Sequence, residues 1–308
     1  PALFSFMNKL LFIYIVFCYL IASVFTLENT ITVENQLFGS SILIIIFGIP
    51  HGAIDNILCL TESNLSKNMF YLLYLLSMLF YCFLWFISPM YSFIFFLFIS
   101  AYHFGESQLS NYKIKINFSK LIFFIWGVAL ISSLFLYNTE ELSNLFNSND
   151  DTSNFSIIFK YNLLDILFYT SNLALFLSLL YLKVKKLITN QIFNTELFQI
   201  ILLHITFFIF PVIISFTLYF VFLHSIKVLL QEYSYLEQKI SGLNLIKFIK
   251  LLAPFTFLSV FLFILFILIS NFYNIDISLL LFSIISISVI TLPHSISMTN
   301  FYDKINFK

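Results

Sequence analysis

The chain contains five histidines, and every one of them falls inside a long apolar stretch. Four lie in short motifs that are more polar than their surroundings: GIPHGAIDN (48–56) with His51, AYHFGES (101–107) with His103, YFVFLHSIKVL (219–229) with His224, and TLPHSI (291–296) with His294. Neutral imidazole is a ligand for Zn, Cu, Fe and Ni, so these side chains are candidate metal ligands. A single histidine in an apolar helix can equally serve as a hydrogen-bond partner between helices.

Two carboxylates lie beside these histidines. Asp55 comes four residues after His51, and Glu106 comes three residues after His103, so each pair is expected on one face of a helix. A carboxylate in that position could accept a hydrogen bond from the ring nitrogen that a metal-binding histidine leaves free, either on the adjacent histidine or on a neighbouring one. Glu106 lies near the end of its apolar stretch and could instead cap the helix there.

The composition indicates how these residues are positioned. Of the 308 residues, 60% are hydrophobic and only 10% are charged, against about 25% charged in a typical soluble domain. This excess of apolar residues favours an integral membrane protein. The net charge is zero and no basic patch occurs, so nucleic acid is not an expected partner. Cys18, Cys59 and Cys82 all fall in apolar segments and are interpreted as small buried side chains.

A bilayer core about 30 Å thick requires about 20 apolar residues in a helix. Ten segments fit this requirement: roughly 3–26, 36–60, 69–87, 89–109, 120–137, 161–182, 197–210, 212–231, 251–271 and 277–300. The seventh and eighth are separated only by Pro211 and could form one broken element. The sequence therefore predicts an all-α, polytopic membrane helix bundle of about ten transmembrane helices, forming a single integral membrane domain over 1–308 with both termini cytoplasmic.

The lysines and the depth of the histidines fit this topology. Nearly all lysines between spans fall on the predicted inner side, while the predicted outer loops are mostly acidic, as the positive-inside rule requires. The four histidines in the motifs lie about six to nine residues from the predicted inner ends of their spans, a difference of a few ångströms at 1.5 Å per residue. His204, in the seventh span, reaches a similar depth. One layer of imidazoles favours a single metal ion.

Two other classes of function use the same residues. A transporter or proton relay could carry ions along histidines, Asp55 and Glu106, although such a path should spread across the membrane rather than gather in one half. A non-enzymatic assembly factor or a haem-binding subunit would use two histidines as axial ligands and leave the others without a role. A two-metal centre is disfavoured because the chain has too few histidines.

The four motifs, in this order and with these hydrophobic surroundings, resemble the Brp/Blh family of β-carotene 15,15′-dioxygenases along nearly the whole chain. The resemblance implies a multi-pass protein of the cell (inner) membrane that holds a non-haem Fe²⁺ with histidines. It implies cleavage of the central double bond of β-carotene by O₂ to give two molecules of all-trans-retinal. The implied partners are β-carotene, O₂ and membrane lipid, with a functional link to a microbial rhodopsin that uses the retinal.

The resemblance also assigns ligands. It implies that His51, His103 and His224 bind the iron. The family pattern HSxxH has a second histidine four residues after the third ligand, and here that position is Val228. His294 is the expected replacement, with His204 in reserve.

No residue beyond the metal ligands is assigned a role in the reaction itself, and no other cofactor-binding residue is expected. Asp55 and Glu106 are the expected hydrogen-bond acceptors beside the ligands. Tyr102, Tyr219 and Phe220 are candidates for lining a substrate tunnel, because they are neighbours of the predicted ligands in sequence.

Overall fold

The structure is a computed structural model, and it describes residues 2–27, 31–61, 66–114, 116–159, 162–273 and 276–306. Within these ranges the regular structure is helical, and no strand occurs. The α-helices are α1 (Ala2–Leu27), α2 (Val33–Leu43), α3 (Asp55–Leu60), α4 (Lys67–Ile87), α5 (Pro89–Leu109), α6 (Ser119–Tyr137), α7 (Thr139–Asn147), α8 (Leu163–Val184), α9 (Asn190–Ile209), α10 (Val212–Leu218), α11 (Ile226–Lys239), α12 (Leu245–Tyr273) and α13 (Leu279–Asn306).

Eight helical segments in the described part of the chain are long and apolar enough to cross a membrane. The prediction of an all-α membrane bundle is confirmed. The other two predicted spans, roughly 3–26 and 89–109, coincide with the long helices α1 and α5. Pro211 separates α9 from the helical run Val212–Lys239, which is itself one of the eight segments.

The chain divides into two compact units. Unit 1 comprises Pro1–Ile54 and Leu202–Asn271, and unit 2 comprises Asp55–Ile201 and Phe272–Lys308. In unit 1, the Tyr14 hydroxyl on α1 donates a hydrogen bond of 2.7 Å to Thr206 Oγ1 on α9. The Phe17 ring also lies 4.6 Å from that of Phe222, which fixes α1 beside the segment that carries His224.

Two of the helical runs in unit 1 are not regular α-helices. Ile44–Gly48 is a π-helical segment, followed by a 3₁₀ turn at Ile49–Gly52 that carries His51. Pro50 lies within that turn. Because proline has no N–H and its ring crowds the preceding turn, it disfavours a regular α-helix there. A second π-helical segment, Tyr219–Ser225, contains His224. Such π segments are rare and frequently occur at functional sites.

In unit 2, α5 and α6 approach each other closely through two glycines. A Cβ on Gly105 would lie 1.7 Å from the carbonyl oxygen of Phe123, and a Cβ on Gly127 would lie 1.7 Å from that of Ala101. Neither position has room for any side chain. His103 lies between these two contact points on α5, so the glycine contacts fix its height and direction.

Helix α13 is fixed to α4 in the same unit. The indole N–H of Trp85 donates a hydrogen bond of 2.7 Å to Ser288 Oγ, and both side chains are buried. Near the C-terminal end of α5, Gln108 Nε2 donates a hydrogen bond of 2.7 Å to Glu196 Oε1 on α9. Buried polar groups that are hydrogen-bonded in this way specify which helix faces meet.

Candidate metal centre

Unit 1 brings two of the predicted ligands together. His51 and His224 are both buried, their ring centroids lie 5.1 Å apart, and the ring planes are nearly perpendicular at 87°. The positions of both histidines depend on local irregularities of the chain, since His51 lies in the 3₁₀ turn and His224 in the second π segment. The pair therefore depends on departures from α-helical geometry.

The backbone contact of His51 determines which of its two ring nitrogens carries the proton. Its Nδ1 donates a hydrogen bond to the carbonyl oxygen of Gly48. In a neutral imidazole with the proton on Nδ1, the lone pair is on Nε2, which is then the nitrogen able to bind a metal. A hydrogen bond of this kind is common for metal-binding histidines because it fixes the ring orientation.

Phe220 packs against this pair. Its ring stacks on His224 at 5.5 Å and 20°, and meets the edge of His51 at 5.6 Å. Gly48 leaves room for the ring, because a Cβ there would lie only 2.8 Å from Phe220 Cε1. Tyr219, the other neighbour expected near the ligands, has its ring 6.4 Å from His224.

Unit 2 brings the other two predicted ligands together. His103 on α5 and His294 on α13 are buried, and their ring centroids lie 4.9 Å apart at 73°. The pairing depends on the contact between α5 and α13, and the glycine contacts of α5 with α6 hold one of its members in place.

Asp55 belongs to the unit 2 pair. The Nδ1–H of His294 lies 2.9 Å from Asp55 Oδ1 and 3.0 Å from Oδ2, and it donates to this buried carboxylate. The Tyr74 hydroxyl donates to Oδ2 at 3.1 Å. In a neutral imidazole with its proton on Nδ1, the lone pair is on Nε2. A carboxylate that holds the proton-bearing nitrogen of a histidine is a recurring arrangement around protein-bound metals.

The sequence placed Asp55 on the same helix face as His51. The structure instead shows Asp55 hydrogen-bonded to His294, at a sequence separation of 239 residues. The four-residue spacing does not define a common face here, because residues 49–52 form a 3₁₀ turn and α3 begins only at Asp55. The expected interaction type is present, but with a different histidine.

Glu106 is also buried, and its carboxylate bridges two helices. Its Oε1 accepts from the Tyr102 hydroxyl at 2.8 Å, and its Oε2 accepts from Thr299 Oγ1 at 2.6 Å. The donors in contact with it are therefore hydroxyl groups of α5 and α13. The geometry thus differs both from a helix cap and from an acceptor for a histidine ring.

Two further positions bear on the ligand set. His204 is only half-buried on α9, unlike the four motif histidines. Val228, at the position of the expected second histidine of HSxxH, is fully buried in the first turn of α11. Sequence reasoning missed Tyr74 and Thr299, because nothing in their surroundings distinguishes them from the many other tyrosines and threonines.

The donor chemistry fits a divalent metal. His51, His103 and His224 are each buried, and each offers a ring nitrogen that could hold a metal ion. Neutral imidazoles are good ligands for first-row transition metals, and Asp55 supplies one negative charge toward the balance of a divalent cation. The hydrogen bonds of His51 and His294 fix the Nδ1 proton in both rings, which is the state that binding through Nε2 requires.

Comparison with known proteins gives one match. The sequence model of the family described as Beta-carotene 15,15'-dioxygenase matches residues 42–302, which include all four histidine motifs. No curated protein and no solved structure matches the chain. The resemblance seen in the motifs is confirmed, and the chain belongs to the β-carotene 15,15′-dioxygenase family.

Proposed function

We propose that this chain is a membrane non-haem iron dioxygenase that cleaves the central double bond of β-carotene with O₂ and releases two molecules of all-trans-retinal. In this reaction the carbon–carbon double bond breaks, and each of its carbons receives one oxygen atom of O₂ as an aldehyde. The observation that carries the proposal is the bond from His294 Nδ1 to Asp55, in a chain whose family acts on β-carotene.

Four histidines form the proposed ligand set. His51 and His224 come from unit 1, and His103 and His294 come from unit 2. We infer that both pairs bind the same Fe²⁺, because the four motifs together carry the resemblance to the family. Within each pair, the rings are buried and their centroids lie no more than 5.1 Å apart. His294 then takes the place that Val228 leaves vacant in the HSxxH pattern.

Asp55 acts through His294. It holds the Nδ1 proton, orients the ring and makes the other nitrogen a stronger donor. Tyr74 fixes the carboxylate through its own hydrogen bond. His51 is oriented in the same manner by the carbonyl of Gly48, so the Nδ1 proton has a defined acceptor at one histidine of each pair.

The surroundings of the histidines keep water away from them. Phe220 covers one face of His224, and Val228 is fully buried one helical turn after it. An apolar shell of this kind protects reactive oxygen chemistry from side reactions. When bound, Fe²⁺ supplies the activation of O₂, a reaction for which protein side chains have no group of their own.

The substrate and product fit a membrane location. β-Carotene is a hydrocarbon that dissolves in lipid, and the chain has eight helical segments suited to cross a membrane in its described part. We propose that the protein lies in the cell (inner) membrane and that its retinal serves a microbial rhodopsin.

Expression in cells that already make β-carotene tests the proposal. Cells producing the protein should lose their orange colour and accumulate retinal, whereas cells producing the His103→Ala variant should stay orange. Orange cells that contain folded, iron-loaded protein and no retinal would contradict the proposal. A haem-binding protein would instead show a strong Soret absorbance band, and an ion carrier would hold no iron.

A further inference from the structure

Unit 2 contains a groove between α5, α6 and α13, which we call the α5–α6–α13 groove. Its volume is about 400 Å³, within the range of ligand pockets. It is lined by Phe95, Phe98, Ile99, Tyr102, Phe124, Leu292, Ser295, Ile296, Thr299 and Asn300, with no charged side chain among them. Hydrocarbon groups make up most of its wall.

One wall of the groove is aromatic. Phe98 on α5 and Phe124 on α6 stack with their ring planes 8° apart and their centroids at 5.5 Å. Such rings offer a large apolar contact area, and their π-systems can pack against another flat conjugated system in an offset or edge-on arrangement. Phe98 is 54% exposed and lines the groove.

Two of the four polar side chains in the wall, Tyr102 and Thr299, are engaged elsewhere. The hydroxyls of Tyr102 and Thr299 both donate to the buried carboxylate of Glu106. They therefore contribute mainly carbon to the groove, which makes it suitable for a ligand without hydrogen-bonding groups. This gives Glu106 a role in shaping the groove.

The groove runs beside the histidine pair of unit 2. Tyr102 precedes His103 on α5, and Ser295 follows His294 on α13. A ligand in the groove would thus lie along the same two helices that present these histidines. The proposed reaction assigns no other role to this groove.

We propose that the α5–α6–α13 groove binds part of the conjugated chain of the carotenoid substrate. This inference rests on the proposed function for the identity of the ligand. The groove itself supports an apolar, flat and conjugated occupant.

Binding of β-carotene without O₂ tests the groove separately from catalysis, since cleavage consumes O₂. The detergent-solubilised protein is titrated with β-carotene under anaerobic conditions, and retained carotenoid is measured by its visible absorbance. The test variant is Ile296→Trp, which fills the groove. The matched control is Ile287→Trp on the same helix. The two isoleucines are 52% and 53% exposed, and nine residues at 3.6 per turn place them on opposite faces of α13.

Ile296→Trp should weaken β-carotene binding about tenfold or more, equivalent to at least about 1.4 kcal/mol, while Ile287→Trp should bind like the unaltered protein. Both should keep the same iron content and thermal unfolding midpoint. A second test adds no bulk to the groove. Phe98→Leu removes the stacked ring and should also weaken β-carotene binding. Its control is Phe86→Leu on α4, where the ring is 89% exposed and lies outside the groove, and this variant should bind normally.

The outcomes separate the two proposals. If the protein binds and cleaves β-carotene and both groove variants bind it as tightly as their controls, the groove proposal is wrong and the proposed function stands. If binding is lost only in the groove variants but no retinal forms in O₂, the groove is a carotenoid site and the proposed function is wrong. Retention of phospholipid alone, with no β-carotene, would overturn the groove proposal.

Discussion

The Nδ1–H of His294 donates to the carboxylate of Asp55 at 2.9 Å, joining two buried residues that are 239 positions apart in the chain. A buried carboxylate requires a partner, and a histidine that holds its proton on Nδ1 exposes the lone pair of Nε2 to a metal. Together with the hydroxyl of Tyr74, this bond satisfies the carboxylate, and it orients the ring of the proposed ligand.

Replacing Asp55 by Asn tests this relationship. The amide can still accept the Nδ1 proton but lacks the negative charge, so iron affinity should fall about 10- to 100-fold. Iron affinity is measured by chelator competition. Asp150→Asn, an exposed aspartate, is the control and should bind iron normally. Equal affinity in both variants would show that Asp55 serves packing only.

The choice of the fourth ligand is tested by alanine substitution. His294→Ala should abolish iron retention after purification, because it removes a proposed ligand together with the partner of Asp55. His204→Ala should retain iron, since His204 is only half-buried. Iron per protein is measured by elemental analysis. The reverse result would move the fourth ligand to His204.

Val228 offers a rescue experiment. It lies four residues after His224, so the two side chains share a helix face if the register holds through the start of α11. Val228→His should therefore restore iron binding to the His294→Ala variant. Val221→His, another buried valine of unit 1, should not restore it. Failure of the rescue in a folded double variant would mean that position 228 faces away from the metal.

Gly48 tests the packing that supports the unit 1 pair. In Gly48→Ala the new Cβ would lie 2.8 Å from Phe220, the ring that stacks on His224, so unfolding free energy should fall by about 1–3 kcal/mol. Gly39→Ala is a close control, because it is a helical glycine in the same unit with nothing within 4 Å of a Cβ. It should be neutral or stabilising. The measurement is denaturant unfolding in detergent, and equal stabilities would contradict the tight contact.

Much of the fold follows from the sequence, because about 20 consecutive apolar residues have few alternatives to a membrane helix. The buried positions of His51, His103, His224 and His294 were also predictable, since ionisable groups in apolar runs are seldom incidental. The motif resemblance was sufficient to identify the family, and the match over residues 42–302 bears it out.

The partners of the polar groups were not predictable. The interaction of Asp55 with His294 depends on a 3₁₀ turn at Ile49–Gly52, and a helical-wheel argument assumes that no such turn exists. Glu106 is held by the hydroxyls of Tyr102 and Thr299. The sequence around Glu106 does not indicate which hydroxyls, on another turn or another helix, will contact it. The π segment around His224 likewise has no signal in the hydrophobic periodicity of the sequence.

The yield of retinal from a known amount of β-carotene tests the proposed iron-dependent central cleavage most directly. The purified protein is loaded with Fe²⁺ under anaerobic conditions, mixed with β-carotene in detergent and exposed to O₂, with a chelator-treated sample as control. The proposed reaction should give two molecules of all-trans-retinal for each β-carotene consumed, and the chelated sample should give none. Products of unequal length, or equal yields with and without iron, would contradict it.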